Sequence, residues 1–233
     1  MNYKTIIVLP AYNAEKTLSK TIRAIPKGIA NEIILVDDGS NDKTLRIAQK
    51  LGLTFYKHPS NQGYGANQKS CYKIALDHQA DIVVMLHPDY QYDPHLIPHL
   101  VDFIKDNYFD IMLGSRIRTR QEALAGGMPV YKYYANRILT LLQNLATGQN
   151  LGEWHTGMRA YSRKVLKTIP FETFSNDFIF DTQMLLAAVK KNFRIGDIPV
   201  PVRYFPESSS INLSRSIRYG ILTLWETFKY LLL

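Results

Sequence analysis

Apolar and polar positions follow two alternating rhythms through the first half of the chain. Lys4–Leu9, Glu32–Val36, Thr54–Lys57, Ile82–Leu86 and Asp110–Gly114 are short runs with the length and side chains of buried strands. Between them the period lengthens. Glu15–Ile25 places Leu18, Ile22 and Ile25 on one stripe, and Leu96–Ile104 does the same with Leu96, Leu100, Val101 and Ile104. Asp42–Leu51, with Ser40 or Asn41 available as its cap, and Gly65–His78 also read as helices. Strands alternating with helices predict an α/β fold, a mostly parallel sheet flanked by helices. After about residue 115 the alternation gives way to helices over Tyr131–Ala146 and Phe178–Lys191, a strand over Ile195–Val202 and a helical stripe over Ile217–Phe228. We expect one domain with a shared core, divided near residue 115 into residues 1–115 and 116–233.

Composition narrows the function classes. The 233 residues are 46% hydrophobic and 21% charged, an ordinary globular balance without low-complexity segments. The first strand begins almost at once, which predicts no signal peptide, and no run approaches the roughly 18–20 apolar residues of a membrane span. The single cysteine, Cys71, lies in a helical pattern and is read as a packing residue. Together these features predict a cytoplasmic protein. A formal charge of +8 asks for an anionic partner: nucleotide phosphates, nucleic acid or an anionic membrane surface. No nucleic-acid motif accompanies the basic residues, which disfavours that partner.

Three strand ends carry polar signatures. Pro10-Ala11-Tyr12-Asn13-Ala14-Glu15 follows the first strand, Val36-Asp37-Asp38-Gly39-Ser40 the second, and His87-Pro88-Asp89-Tyr90-Gln91 the run Ile82–Leu86. Each alone is a plausible turn, and Asp93-Pro94 reads as the cap and first residue of the next helix. At successive C-terminal strand ends they rim the crevice where open α/β sheets bind ligands. Asp89 and Gln91 both offer oxygen to a hard divalent cation.

On these motifs the chain resembles the family 2 inverting glycosyltransferases of GT-A fold, particularly the dolichyl-phosphate mannose synthase and polyprenyl-phosphate branch. The resemblance runs from Lys4 to about Ser210. It implies a nucleotide-sugar-binding half over 1–115 and an acceptor-side half with a C-terminal helix over 116–233. Pro10, Tyr12, Asn13, Val36, Asp37 and Asp38 would then hold the nucleoside, with Gly65 in the Asn61-Gln62-Gly63-Tyr64-Gly65-Ala66 loop beside it. Asp89 and Gln91 would hold Mg²⁺ or Mn²⁺, Arg116 and Arg203 would face the donor phosphates, and Thr156–Tyr161 would lie on the acceptor side. The donor would be a GDP- or UDP-linked sugar and the acceptor a lipid phosphate, met peripherally at the cytoplasmic face of a membrane.

Several positions depart from the family pattern. His87 stands where the first acid of Asp-x-Asp is expected, which would favour Mn²⁺ over Mg²⁺ or leave His87 to bond the diphosphate. Glu15 is displaced by one residue, and Ser208-Ser209-Ser210 replaces a lysine for which Arg215 or Arg218 would substitute. Gln183 stands where the synthase branch has glutamate, and Asp181 lies two residues earlier. A hydroxyl acceptor needs a base, whereas a phosphate monoester does not. Either Asp181 is that base or the acceptor is a phosphate, the reading we prefer. A non-catalytic nucleotide-sugar-binding protein is the third reading.

His155 borders the acceptor motif and is a candidate for substrate contact. The Tyr131–Ala146 helix mixes aromatic and basic residues, a pattern that suits an interfacial helix near anionic lipid, although an ordinary core helix is the preferred reading. The apolar Tyr230–Leu233 end leaves three uses open: packing on the domain, membrane contact, or continuation into a longer protein.

Overall fold

The computed structural model describes residues 3–201, 203–204 and 213–232. In chain order it contains β1 (Thr5–Ala11), α1 (Leu18–Ala24), β2 (Glu32–Asp37), α2 (Thr44–Lys50), β3 (Thr54–Lys57), α3 (Tyr64–Asp77) and β4 (Ile82–Met85). A short 3₁₀ turn (Pro94–Leu96), α4 (Ile97–Lys105), β5 (Ile111–Ser115), α5 (Arg120–Ala125) and α6 (Val130–Thr147) follow. The chain continues through β6 (Arg159–Ser162), α7 (Arg163–Thr168), a second 3₁₀ turn (Phe171–Thr173), α8 (Phe180–Lys190), β7 (Ile195–Pro199) and α9 (Leu213–Leu232).

One seven-stranded sheet has the order β3-β2-β1-β4-β6-β5-β7, with β6 antiparallel to both neighbours and every other pair parallel. The α/β expectation holds, and apolar clusters cover both faces of the sheet. Cys71 is buried in one of them. β1 lies between β2 and β4, so the connections after it diverge and open a crevice at the strand ends. β1 runs through Pro10 rather than stopping there. Val8 accepts from Leu86 N at 3.1 Å, and Pro10 faces the same way beyond the last β1–β4 rung, where a missing N–H forfeits no ladder bond.

Three elements escaped the sequence pattern: α5, α7 and the inserted β6. β6 carries the fully buried Arg159, and a charge within a strand breaks the apolar run by which buried strands are recognised. α1 begins later than expected because residues 13–15 are stitched to the β2–α2 loop. Asn13 N donates to Ser40 Oγ at 2.8 Å and Asn41 N to Asn13 Oδ1 at 3.0 Å. Ser40 and Asn41 are thus committed elsewhere, and Asp42 accepts from Thr44 N instead.

The preferred core-helix reading of Tyr131–Ala146 is corrected. α6 packs against α9, and its buried residues are Asn136, Thr140 and Gln143. Leu141, Leu142 and Leu145 face outward. The Ile195–Val202 strand ends at Pro199, and Val202 and Ser208-Ser209-Ser210 lie outside the described residues.

Candidate active site

A cavity of about 960 Å³ opens at the C-terminal ends of β1 and β4 and extends beneath α6 and α9. Pro10, Tyr12, Asn13, Asp38, His87, Asp89, Gln91, Arg116 and Asp181 line it together, as does His155. Half of Tyr12 is exposed, leaving an aromatic surface available for stacking.

Asp38 binds its neighbouring loop. Its carboxylate accepts from Gln62 N at 2.9 Å and Gly63 N at 3.0 Å, and Oδ1 lies 2.7 Å from His58 Nδ1. Asp37 is fully buried; one oxygen accepts from Ser40 N, and the other has no hydrogen-bond partner among the described residues. Asn67, a residue the motifs did not single out, donates from Nδ2 to Val36 O at 3.0 Å, clamping that strand end while lining the cavity.

Five expected ligand contacts stand off the cavity wall. Val36 and Asp37 lie beneath it in β2, and Glu15 accepts from Lys43 N at 2.9 Å to tie two loops together. Gly65 sits in the first turn of α3, where a Cβ would run into Ser175 O and come within 2.9 Å of Phe180 Cβ. Its small size serves helix-to-loop packing. Arg203 pairs with Asp93 at 3.3 Å and covers the Tyr90 ring at 5.1 Å.

The turn after β4 is sharply built. Asp89 Oδ1 accepts from Gln91 N at 3.1 Å, closing an Asx turn around Tyr90, whose φ of 58° is unusual for a bulky residue. Lys20 lies 4.3 Å above the Tyr90 ring. Asp93 accepts from His95 N at the start of the following 3₁₀ turn, as the Asp93-Pro94 pattern predicts. Asp89 and Gln91 are both buried cavity residues. A carboxylate and an amide oxygen are ligands suited to a hard divalent cation. Among the described residues no cluster of three or more His, Cys, Asp or Glu could hold a metal. These two residues therefore fit a cation whose shell is completed by substrate oxygens and water.

His87 belongs to a chain of contacts that the motifs did not reveal. Its Nε2 lies 3.0 Å from Tyr64 Oη, which donates to Asp181 Oδ2 at 2.7 Å. With that proton committed to Asp181, the hydroxyl accepts from His87 Nε2–H. Burial pushes the His87 pKa down, with Asp89 and Asp181 opposing, so the ring is neutral near pH 7 and Nδ1 keeps a lone pair. That chemistry suits a cation better than a phosphate oxygen. A Cβ at Gly157 would lie 2.8 Å from His87 Cδ2, so glycine there makes room for the ring.

Asp181 is encircled by donors. Gln68 Nε2 reaches Oδ1 at 3.1 Å, and the fully buried Arg159 lies 3.7 Å from Oδ2. Arg159 also donates to the carbonyls of Trp154, Thr156 and Asp181. Gln183 is turned elsewhere, accepting from Ser175 N at 2.8 Å and donating to Glu226 of α9 at 3.1 Å. Its amide serves as a brace between a loop and a helix.

Arg116 does not present an uncompensated charge. It pairs with the fully buried Glu153 and donates to Tyr204 Oη at 3.0 Å and His155 O at 2.7 Å. Burial pushes the Glu153 carboxyl up, but Arg116 more than reverses this and holds its pKa below the usual range. Asn136 of α6 donates to the same carboxylate at 2.7 Å. His155 Nδ1 meets Tyr219 Oη of α9 at 2.8 Å, while Nε2 has no partner among the described residues. Burial is the main cause that lowers its pKa to about 3.

The family model for glycosyl transferase family 2 matches residues 6–169. The chain is 27% identical over 215 residues to the UDP-N-acetylglucosamine–dolichyl-phosphate N-acetylglucosaminyltransferase of Methanococcus voltae, covering 85% of each chain. It is 28% identical over 200 residues to the dolichyl-phosphate hexose transferase of Haloferax volcanii, covering 84% of this chain and 82% of that one. Glucosyl-3-phosphoglycerate synthase from Mycobacterium tuberculosis, solved with Mn²⁺, UDP and phosphoglyceric acid, superposes with a TM-score of 0.73 at 21% identity. That match covers 97% of this chain and 78% of that one and supports the GT-A fold. With these matches in agreement with the strand-end motifs, the chain belongs to glycosyl transferase family 2.

Proposed function

We propose that the chain transfers a sugar, with inversion, from a UDP- or GDP-linked donor to a polyprenyl phosphate, working peripherally at the cytoplasmic face of a membrane. One observation carries this reading: a single cavity joins two chemically different walls. Tyr12, Asp38, Asp89 and Gln91 form the donor wall, while Lys132, Arg215 and Arg218 enter from α6 and α9. Between them, Asp181 already holds Tyr64, Gln68 and Arg159. A carboxylate so engaged is better suited to fixing Tyr64 than to taking a proton. A phosphate acceptor is already anionic and needs no base. The names of the two dolichyl-phosphate relatives support the same acceptor class.

Asp89 and Gln91 would hold a divalent cation, Mg²⁺ or Mn²⁺, which when bound supplies positive charge to the leaving diphosphate. Tyr12 would stack on the base and Asp38 would order the loop beside it. Arg116 would fix Tyr204 and the His155 backbone at the cavity wall, and Arg203 would reach the donor phosphates from its place over Tyr90.

The test measures transfer to undecaprenyl or dolichyl phosphate. Asp89→Ala is expected to lower it by about 10³-fold or more with the circular dichroism spectrum unchanged. Full metal-stimulated transfer by that variant overturns the site. Asp181→Asn is expected to lower turnover of the folded enzyme less than about tenfold, whereas loss of a general base would cost roughly 10²–10⁴-fold.

A further inference from the structure

The His87 ring is held along one edge. Nε2–H donates to Tyr64 Oη at 3.0 Å, and that hydroxyl donates in turn to Asp181 Oδ2 at 2.7 Å. Cδ2, on the same edge, abuts Gly157, where an added Cβ would stand 2.8 Å away. The other edge carries Nδ1, which has no hydrogen-bond partner among the described residues. The ring lines the cavity together with Asp89 and Gln91. Tyr64 is itself wedged in place, its ring 5.3 Å from the His87 centroid and 4.5 Å from that of Phe178. Asp181 is anchored as well. Gln68 Nε2 donates to its Oδ1, and Gln68 Oε1 accepts from Tyr72 Oη at 2.8 Å. The fully buried Arg159, 3.7 Å from Oδ2, offsets the carboxylate charge.

We propose that His87 is a third protein ligand of the divalent cation, through Nδ1, and that Tyr64 and Asp181 are positioning residues that hold its ring for that task. A ligating imidazole needs a lone pair on one nitrogen and an acceptor for the N–H of the other. The acceptor fixes the tautomer and the ring plane and makes the ligating nitrogen more basic. The His87–Tyr64–Asp181 chain supplies that acceptor, with a tyrosine hydroxyl standing between imidazole and carboxylate. Bonding a phosphate oxygen would instead call for a proton on Nδ1, and the hydrogen bond to Tyr64 commits the ring proton to Nε2. One nitrogen beside two oxygens also changes the ion preferred. Mg²⁺ keeps to oxygen ligands, whereas transition ions accept imidazole, which selects Mn²⁺ of the two. His87, Asp89 and Gln91 include only two residues of the His, Cys, Asp and Glu type, so substrate oxygens would still complete the shell. The proposal rests on the cation reading of Asp89 and Gln91, and it gives Asp181 a role that is not proton abstraction.

The experiment uses the whole chain with Mn²⁺ and UDP, and separately with Mn²⁺ and GDP, without acceptor. Pulsed electron paramagnetic resonance of the bound Mn²⁺ is expected to show coupling to an imidazole nitrogen. His87→Ala, loaded at higher Mn²⁺, should lose that coupling. Tyr64→Phe keeps the ring contacts and removes only the hydroxyl. In titration calorimetry it should bind Mn²⁺ about tenfold or more weakly, with a smaller loss for Mg²⁺ and an unchanged circular dichroism spectrum. Asp181→Asn offers the Tyr64 hydroxyl a weaker acceptor. It should lower Mn²⁺ affinity in the same direction while turnover at saturating Mn²⁺ stays within about tenfold of wild type. Bound Mn²⁺ without nitrogen coupling, or coupling that persists in His87→Ala, overturns the ligand assignment and leaves Asp89 and Gln91 standing. Unchanged Mn²⁺ affinity in Tyr64→Phe, or equal losses for the two ions, overturns the positioning role. A chain that binds Mn²⁺ with neither nucleotide sinks the cation reading and this inference with it.

Discussion

α4 and α6 are both amphipathic, yet they face opposite ways. α4 buries Ile97, Leu100, Val101 and Ile104 against the sheet, while α6 buries Asn136, Thr140 and Gln143 and displays Leu141, Leu142 and Leu145. The region around α4 is therefore held by apolar burial. The region around α6 is held by directed contacts: Asn136 and Arg116 on Glu153, His155 on Tyr219, and Gln183 on Glu226. Directed contacts leave the outer face free for other chemistry and make the interior dependent on each polar partner.

The strongest way to break this contrast is to remove one such partner. Glu153→Ala leaves the half-buried Arg116 guanidinium without its partner carboxylate, and it should cost about 3 kcal/mol in urea unfolding. A cost near zero would mean that the polar interior is incidental. Next, matched truncations compare the helices directly. Leu100→Ala in α4 should lose about 2–5 kcal/mol, whereas Leu141→Ala in α6 should change stability in water by no more than about 0.5 kcal/mol. Equal losses would return α6 to the class of core helices.

The last test is read through pH and concerns His155. Its folded pKa of about 3 lies below the unfolded value near 6.5, so below pH 6.5 the unfolded chain binds the extra proton. Its contribution is therefore fully favourable above pH 6.5 and is lost as pH falls toward 3, by at most about 1.4 kcal/mol per pH unit. His155→Gln should flatten the stability profile in that window relative to wild type. Parallel profiles would show that the ring titrates freely.

Much of the donor side was legible in the chain. Period and strand length gave the alternating elements, and Asp89 and Gln91 were found because a carboxylate and an amide at a strand end stand out from ordinary turn chemistry. Tyr64, Asn67 and Glu153 were harder to read, since each acts through a partner distant in sequence. Tyr64 meets Asp181, 117 positions away, and Glu153 meets Arg116, 37 positions away. Gln183 could be read as unable to act as a base, but its role as a brace needed Glu226 to be placed beside it.

By itself the sequence determined most of the strands and helices, the strand-end motifs and the family resemblance, because these depend on local geometry and the order of residues. It also determined that α6 and α9 are amphipathic. Tertiary structure decided which way they face, since periodicity defines two sides of a helix and only packing assigns one to the interior. It likewise decided that Asp181 is held by Tyr64, Gln68 and Arg159, because hydrogen-bond partners are set where separate elements converge.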